Sequence, residues 1–383
     1  MKRAGGLFEK LISIDNLQLA FWKAQHGKSG KFDVIAYRER LNQNLYDMRS
    51  NLIDGSFPIG CYHYFTVNDP KERNICAASF PERVMHHALM NVCEPVFERY
   101  AILDSYACRK RKGSLLAVKR AYGFAGKSSA YLKLDIARYF DSIDHKILFE
   151  RLERLFKEKR ILELFDRIIN SYETAAGRGL PIGNLTSQHF ANYFIGFLDH
   201  HVKEILHCRK YIRYMDDFII FSESKPELKE LLKRVREFLN DKLKLELNPN
   251  IFLNFTASGF NFLGYRIFPD IVRLSKRSKR RFIKKFKNYE YKYKIGEWRE
   301  DELARHMEPL IAFTKNASAE KFRKSVIYKY GAAASNGHEP RESRRQLEQQ
   351  RRQLPLGQSQ QQQPVEQEQQ QRLSSRPFRS STG

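Results

Sequence analysis

The chain has 383 residues, with 68 Lys and Arg against 44 Asp and Glu, a formal net charge of +24 and a pI near 9.8. That length holds a sizeable core and two or three subdomains, and such self-repulsion points to a polyanionic partner. No apolar run approaches membrane-spanning length, Met1–Gly6 is not followed by a signal-peptide core, and the five cysteines never form a Cys-x-x-Cys pair. The expectation is a cytoplasmic protein with free thiols, no zinc and no membrane partner.

Residues 7–53 read as helical, with Leu11, Trp22 and Leu45 as apolar anchors and a polar break at 27–30. Short strands follow, Cys61–Val67 and Asn74–Ala78, around a turn that carries Lys71 and Arg73. Pro81 opens a helix whose Leu89, Val92, Cys93, Val96 and Phe97 follow helical spacing. His86 and His87 are adjacent and so face apart, which argues against a shared metal. A basic run, Arg109 to Lys112, precedes an apolar strand-like run, Tyr131–Ile143, that contains Asp135. Residues 146–172 are expected as one long amphipathic helix, with Leu148, Leu152, Leu155 and Phe156 on one face.

Gly183 permits close backbone approach, and Ser187 and Gln188 lead into a helix through Phe194, Leu198 and Val202. In Tyr211–Ser222, aromatic and β-branched runs flank Asp216 and Asp217, so the acids belong at a hairpin turn. An amphipathic helix is expected over 226–244 and a glycine-containing hairpin over 259–265. Between Arg273 and Lys329, 18 Lys and Arg face 7 acids, with Phe282, Phe286, Tyr289, Tyr291 and Tyr293 interleaved. Such a segment, including Lys276, Lys279 and Arg280, suits a nucleic-acid duplex. After Gly331 lysine disappears and Gln-rich tracts take over, a composition that cannot fold alone.

Adjacent acids near a core repel each other, a cost that a divalent cation removes. Asp135 supplies a second strand-borne carboxylate. Two carboxylates from separate strands, meeting at one edge of a sheet, can hold the pair of Mg²⁺ ions that two-metal phosphoryl transfer requires.

Tyr214-Met-Asp-Asp217 resembles the catalytic hairpin of reverse transcriptases, and Asp135 matches the first metal-binding aspartate of their palm. Most bacterial relatives have Gln-Gly followed by Ser-Pro where Leu180–Gln188 has Ile182-Gly183 and Ser187-Gln188. This variant is similar to the reverse transcriptases of diversity-generating retroelements. The resemblance spans about residues 15–330, with the three motifs in family order. It implies an α+β right-hand polymerase fold: a helical region 1–54, fingers 55–130, an antiparallel palm 131–270, a helical thumb 271–331 and a disordered tail 332–383.

The resemblance also implies roles. Asp135 and Asp216 would bridge both Mg²⁺ ions, the Ile136 carbonyl would ligate the nucleotide-side ion, and Asp217 would support the site. Arg73, or less directly Lys71, would contact the triphosphate. Phe140, five residues after Asp135, would screen the sugar for a 2′-hydroxyl, with Tyr139 left to the core. Ile182, Gly183 and Gln188 would shape the base-pair pocket. Because Ile182 cannot donate a hydrogen bond, about 1 kcal/mol or somewhat more of discrimination is lost, up to roughly tenfold, and the resemblance implies low fidelity opposite template adenines.

Glu82 replaces the Asp of the family's Asp-Arg helix. Ser105–Ser114 is similar to the Ser-x-Gly-Phe-Arg-Pro stretch, departing from it at Ala107 and Cys108, so Arg109, Lys110, Arg111 and Lys112 would meet template phosphate. Gly259–Tyr265 resembles the primer grip, with Gly264 close to the primer, and Lys244 stands near the place of a general acid. The implied partners are template RNA, primer or cDNA, dNTPs and a small basic accessory protein that forms a ring. No RNase H or endonuclease domain is expected beyond the thumb. The alternatives are another bacterial reverse transcriptase, or a non-catalytic RNA-binding scaffold, against which the intact acids weigh.

Overall fold

The structure, a computed structural model, describes residues 2–68 and 72–331. Lys71 and the Gln/Arg-rich segment 332–383 lie outside the described residues. The chain divides into two compact units, Met1–Phe282 with Pro309–Glu320, and Ile283–Glu308 with Lys321 onward.

The first unit opens with helices α1 (Phe8–Leu11), α2 (Ile14–Gln25), α3 (Phe32–Glu39) and α4 (Leu41–Ile53), the polar break falling between α2 and α3. Ser13 caps α2 by accepting the Asn16 N–H. Strands β1 (Tyr62–Asn68) and β2 (Glu72–Ala78) form an antiparallel hairpin that leads to α5 (Phe80–Tyr100), whose Pro81 sits in the first turn. Phe21 stacks on Tyr37 and meets Phe80 edge-on, which joins α2, α3 and α5. Next come α6 (Ser114–Ala125), β3 (Ala130–Asp135), α7 (Tyr139–Ser142), α8 (His145–Leu152), α9 (Lys159–Ile169) and α10 (Leu185–His200).

The expected single helix over 146–172 is two helices. Residues between α8 and α9 pair instead with the N-terminal segment: Ala4 N–H donates to the Leu155 carbonyl, and Lys157 N–H to the Ala4 carbonyl. Glu158 accepts from the Leu7 and Phe8 N–H groups at the start of α1. Leu155 and Phe156 are still buried, but from an extended turn.

Strands β4 (Tyr211–Tyr214) and β5 (Asp217–Ser222) follow, then α11 (Lys225–Phe238), ending in a π turn at Leu239–Leu243, and β6 (Phe252–Phe255). The sheet they build with β3 runs β4-β5-β3-β6, antiparallel throughout. Its side chains segregate by the two-residue period of a strand. Leu132, Leu134, Phe218 and Ile220 point into the main apolar core. Tyr131, Lys133 and Asp135 take the opposite face of β3, paired with Phe221, Ile219 and Asp217 of β5.

A second sheet of β7 (Phe260–Phe262), β8 (Tyr265–Ile267) and β9 (Val272–Leu274) covers part of that face, with the Phe260 ring 4.9 Å from Tyr131 and 5.6 Å from Phe221. Helices α12 (Lys276–Lys294), α13 (Glu300–Lys315) and α14 (Glu320–Tyr330) complete the described chain. Within the second unit Trp298 stacks on His306, and Tyr289 packs against both at a tilt. Phe286 is buried, while Tyr291 and Tyr293 are exposed. Among the described residues no helix is long and apolar enough to cross a membrane, and all five cysteines are free thiols.

Candidate active site

The β3–β5 register pairs Asp135 with Asp217, and the β4–β5 register pairs Tyr214 with Asp217, which leaves Met215 and Asp216 as a two-residue turn. Three carboxylates, Asp135 and Asp217 on neighbouring strands and Asp216 in the turn, thus gather at one end of the sheet. Burial, then the charge of Asp135, push the Asp216 pKa upward, against the pull of Arg73 and Arg213. Asp217 is pushed up to about 6, first by burial and further by Asp135 and Asp216, although Lys133 opposes the shift. Asp135 thus makes ionisation of both its neighbours harder, the electrostatic condition that a cation relieves.

Among the described residues no three His, Cys, Asp or Glu side chains form a preformed metal cage. The donor set nevertheless fits a hard cation, since carboxylate oxygens suit Mg²⁺, which keeps waters and takes substrate phosphates rather than an all-protein shell. The Asp135 carbonyl accepts from Asn248 N–H at 2.8 Å, and the Glu246 carbonyl from Ala137 N–H at 2.9 Å. These two bonds flank the Ile136–Leu247 bridge, so the carbonyl of Ile136 itself faces away from Leu247.

The segment before α10 is docked on β2. Ile182 accepts the Cys76 N–H at 2.8 Å, and Gly183, at φ +130°, lies so close that an added Cβ would sit 2.9 Å from the Cys76 carbonyl oxygen. Arg73 is three residues earlier on that strand, exposed, and its charge is felt by Asp216. Arg73, Ile182 and the acids therefore belong to one neighbourhood. Gln188 Oε1 accepts a hydrogen bond from the Cys108 thiol at 3.4 Å. Tyr139 is buried, its hydroxyl bonded to the Ala191 carbonyl, whereas Phe140 remains half-buried, edge-on to Tyr139.

The basic run behaves unevenly. Arg109 is turned inward, its side chain only 9% exposed, and it bonds Glu98 and the carbonyls of Ile102 and Ser105. Its guanidinium is therefore engaged within the protein rather than presented to solvent. Cys108 and Arg111 have positive φ, so the chain coils tightly here and does not present four cations on one side. Lys110 pairs with Glu94 but stays exposed, Arg111 is exposed, and Lys112 reaches the Leu103 carbonyl.

Gly264 forms the β7–β8 turn with Leu263, both at positive φ, and its carbonyl is already occupied by Ser275 N–H and the Ser278 hydroxyl. Lys276, Lys279 and Arg280 are exposed on α12, and Lys244 is exposed at positive φ after α11.

Two residues at the site escaped the sequence reading. Lys133, on the face of β3 that carries Asp135, places its ammonium 2.6 Å from Asp217. Arg213 is fully buried directly beneath the Met215–Asp216 turn. Both had a signal: Lys133 stands two positions before Asp135, and Arg213 interrupts an apolar strand where an unpaired charge is forbidden.

Residues 68–267 match the reverse transcriptase (RNA-dependent DNA polymerase) family. The chain is 22% identical over 274 residues to Protein YkfC of Escherichia coli, covering 60% of this chain and 72% of that one. It is 21% identical over 291 residues to the group II intron-encoded protein LtrA of Lactococcus lactis, covering 57% of this chain and spanning only 48% of LtrA. Apo telomerase from Candida tropicalis aligns at TM-score 0.45 and 12% identity, over 76% of this chain and 64% of that one. The family match takes in Asp135, the Ile182–Gln188 segment and the Asp216–Asp217 hairpin alike, and the chain accordingly belongs to the reverse transcriptase (RNA-dependent DNA polymerase) family, with a domain related to those of group II introns.

Proposed function

We propose that the chain is a right-hand polymerase that copies the template-repeat RNA of a diversity-generating retroelement into error-laden cDNA, which replaces part of a variable target gene. The observation that carries the chemical part is the grouping of Asp135, Asp216 and Asp217 at one sheet end, with Arg73 within electrostatic reach of Asp216. In this reading β1–β2 belong to the fingers, the four-stranded sheet is the palm, and α12–α14 form the thumb.

Asp135, Asp216 and the Ile136 carbonyl would hold two Mg²⁺ ions, with Asp217 in support. When bound, that pair supplies activation of the primer 3′-hydroxyl and neutralisation of the triphosphate and departing pyrophosphate. Arg73 binds the triphosphate as a bidentate cation. Phe140 excludes a 2′-hydroxyl by size, and the Ile182–Gly183 segment and Gln188 line the base-pair pocket. The absence of a donor at Ile182 supports low fidelity opposite adenine. Lys110, Arg111, Lys112, Lys276, Lys279 and Arg280 hold template and primer phosphates, and a small basic accessory protein completes the working complex. The likeness to LtrA favours a second reading, a group II-like enzyme of ordinary fidelity.

Primer extension on a defined RNA template with Mg²⁺ and dNTPs, followed by cDNA sequencing, tests both. Extension by the wild type but not by Asp216→Ala, with errors concentrated opposite adenines, is expected. Accurate extension would select the second reading. No synthesis with accessory protein and native RNA present would leave an RNA-binding scaffold.

A further inference from the structure

Arg213 lies on β4 with no measurable exposure, and its guanidinium spends every donor on the protein. Nε and Nη2 grip the two oxygens of Asp199 at 2.7 and 2.6 Å. Nη1 reaches Asn192 Oδ1 at 2.7 Å and the Met215 carbonyl at 3.0 Å. Nη2 also reaches the Ser105 hydroxyl at 3.0 Å and the Asn192 carbonyl at 3.3 Å. Asp199 in turn accepts the Tyr211 hydroxyl at 2.6 Å.

One planar group therefore ties together α10, the segment at Ser105 and the β4–β5 turn. The backbone of Arg213 is fixed as well, donating to the Asp104 carbonyl and accepting from Tyr106 N–H, so the outer edge of β4 cannot drift.

The bond to Met215 matters most. Met215 has φ +57°, a left-handed conformation that a residue with a Cβ adopts only when its surroundings impose it. The Met215 carbonyl and the Asp216 N–H belong to a single peptide plane. Whatever fixes the direction of that carbonyl therefore fixes the orientation of the plane from which Asp216 departs.

We infer that Arg213 is a positioning residue for nucleotidyl transfer: by holding the Met215 carbonyl from beneath, it sets the 215–216 peptide and aims the Asp216 carboxylate before substrate arrives. The inference rests on Asp216 being a catalytic carboxylate, as proposed above. Lysine cannot replace this arginine, because a single ammonium cannot address Asp199, Asn192 and Met215 in the three directions that Nε, Nη1 and Nη2 take.

The test uses the full chain, with Arg213→Lys and, in case a buried ammonium there prevents folding, the neutral pair Arg213→Gln with Asp199→Asn, which removes both buried charges together. Amide exchange is followed at 211–218 and, as an internal reference, along α10 and β3. Exchange at the turn is expected to accelerate about tenfold or more while α10 and β3 stay protected. The single-turnover extension rate should fall about a hundredfold, with template–primer affinity and the KM for dNTP changing less than about twofold.

Unchanged exchange at the turn, acceleration spread evenly over α10 and β3, or an unaltered extension rate with an exposed turn would each overturn the inference. If the wild-type protein extends no primer, the functional reading fails, and the exchange comparison still decides whether Arg213 holds the turn.

Discussion

The Lys133 ammonium lies 2.6 Å from the Asp217 carboxylate, two positions before Asp135 on the same strand and therefore on the same face. Both partners are partly shielded, with side chains 18% and 24% exposed, so the pair acts in a medium less screening than water. Lys133 partly balances the charge of Asp217, as Arg73 and Arg213 do for Asp216.

Lys133→Met should push the Asp217 pKa above its present value of about 6. The pH of half-maximal primer extension is then expected to rise by about one unit, with activity near neutrality down several-fold. A pH–rate profile of wild type and variant checks this; coincident profiles would remove Lys133 from the site's electrostatics.

Stability carries a second signature, in protein free of divalent cations. The Asp217 pKa is raised in the folded state from 3.8 to about 6, so the folded chain holds this proton more tightly than the unfolded one. By linkage, the contribution of Asp217 to stability falls as pH rises through that window and stays low above it. The melting temperature of wild type minus that of Asp217→Asn should therefore decrease between about pH 4 and pH 6. A difference that is flat or that climbs would show that Asp217 is not destabilised by its neighbours.

Gly183 tests the dock between the segment before α10 and β2. Its φ of +130° and the 2.9 Å approach to the Cys76 carbonyl oxygen both oppose a side chain. Gly183→Ala should cost about 1–3 kcal/mol of stability. It should also raise the KM for dNTP, since Arg73 and Ile182 share that wall. Denaturant unfolding and steady-state kinetics measure the two effects separately.

Glu82 is buried, and its carboxylate accepts from the N–H groups of Gly60 and Cys61 at the base of the β1–β2 hairpin. Glu82→Ala leaves both donors without this acceptor, a loss of about 2–5 kcal/mol in all. Glu82→Gln keeps one accepting oxygen and should recover part of that loss. Chemical denaturation of the two variants would expose any failure of this order.

Strands carried their assignment in local composition. Tyr211–Ser222 and Tyr131–Asp135 are dense in aromatic and branched residues, so the hairpin and the meeting of Asp135 with its tip were legible. The break between α8 and α9 was not, because it is made by Ala4 and Glu158 pairing across the fold, to which helical periodicity is blind. Likewise, nothing in a run of four cations says which one turns inward; the positive φ of Cys108 and Arg111 decided it for Arg109. Arg213 was readable as an anomaly, yet its partners Asn192 and Asp199 sit on a helix well separated in sequence.

The turn at Met215–Asp216 has no slack. Because β3 and β5 send chemistry to one face and core to the other, the number of residues in the turn acts as a phase setting for the site. One residue more, with the two-residue turn kept, would shift β5 by a step and carry Asp217 to the place that Phe218 now holds, driving a carboxylate into the apolar interior. Length at this point is then as strict a requirement as the identity of the acids themselves, and substitution of Met215 should be tolerated far more readily than insertion beside it.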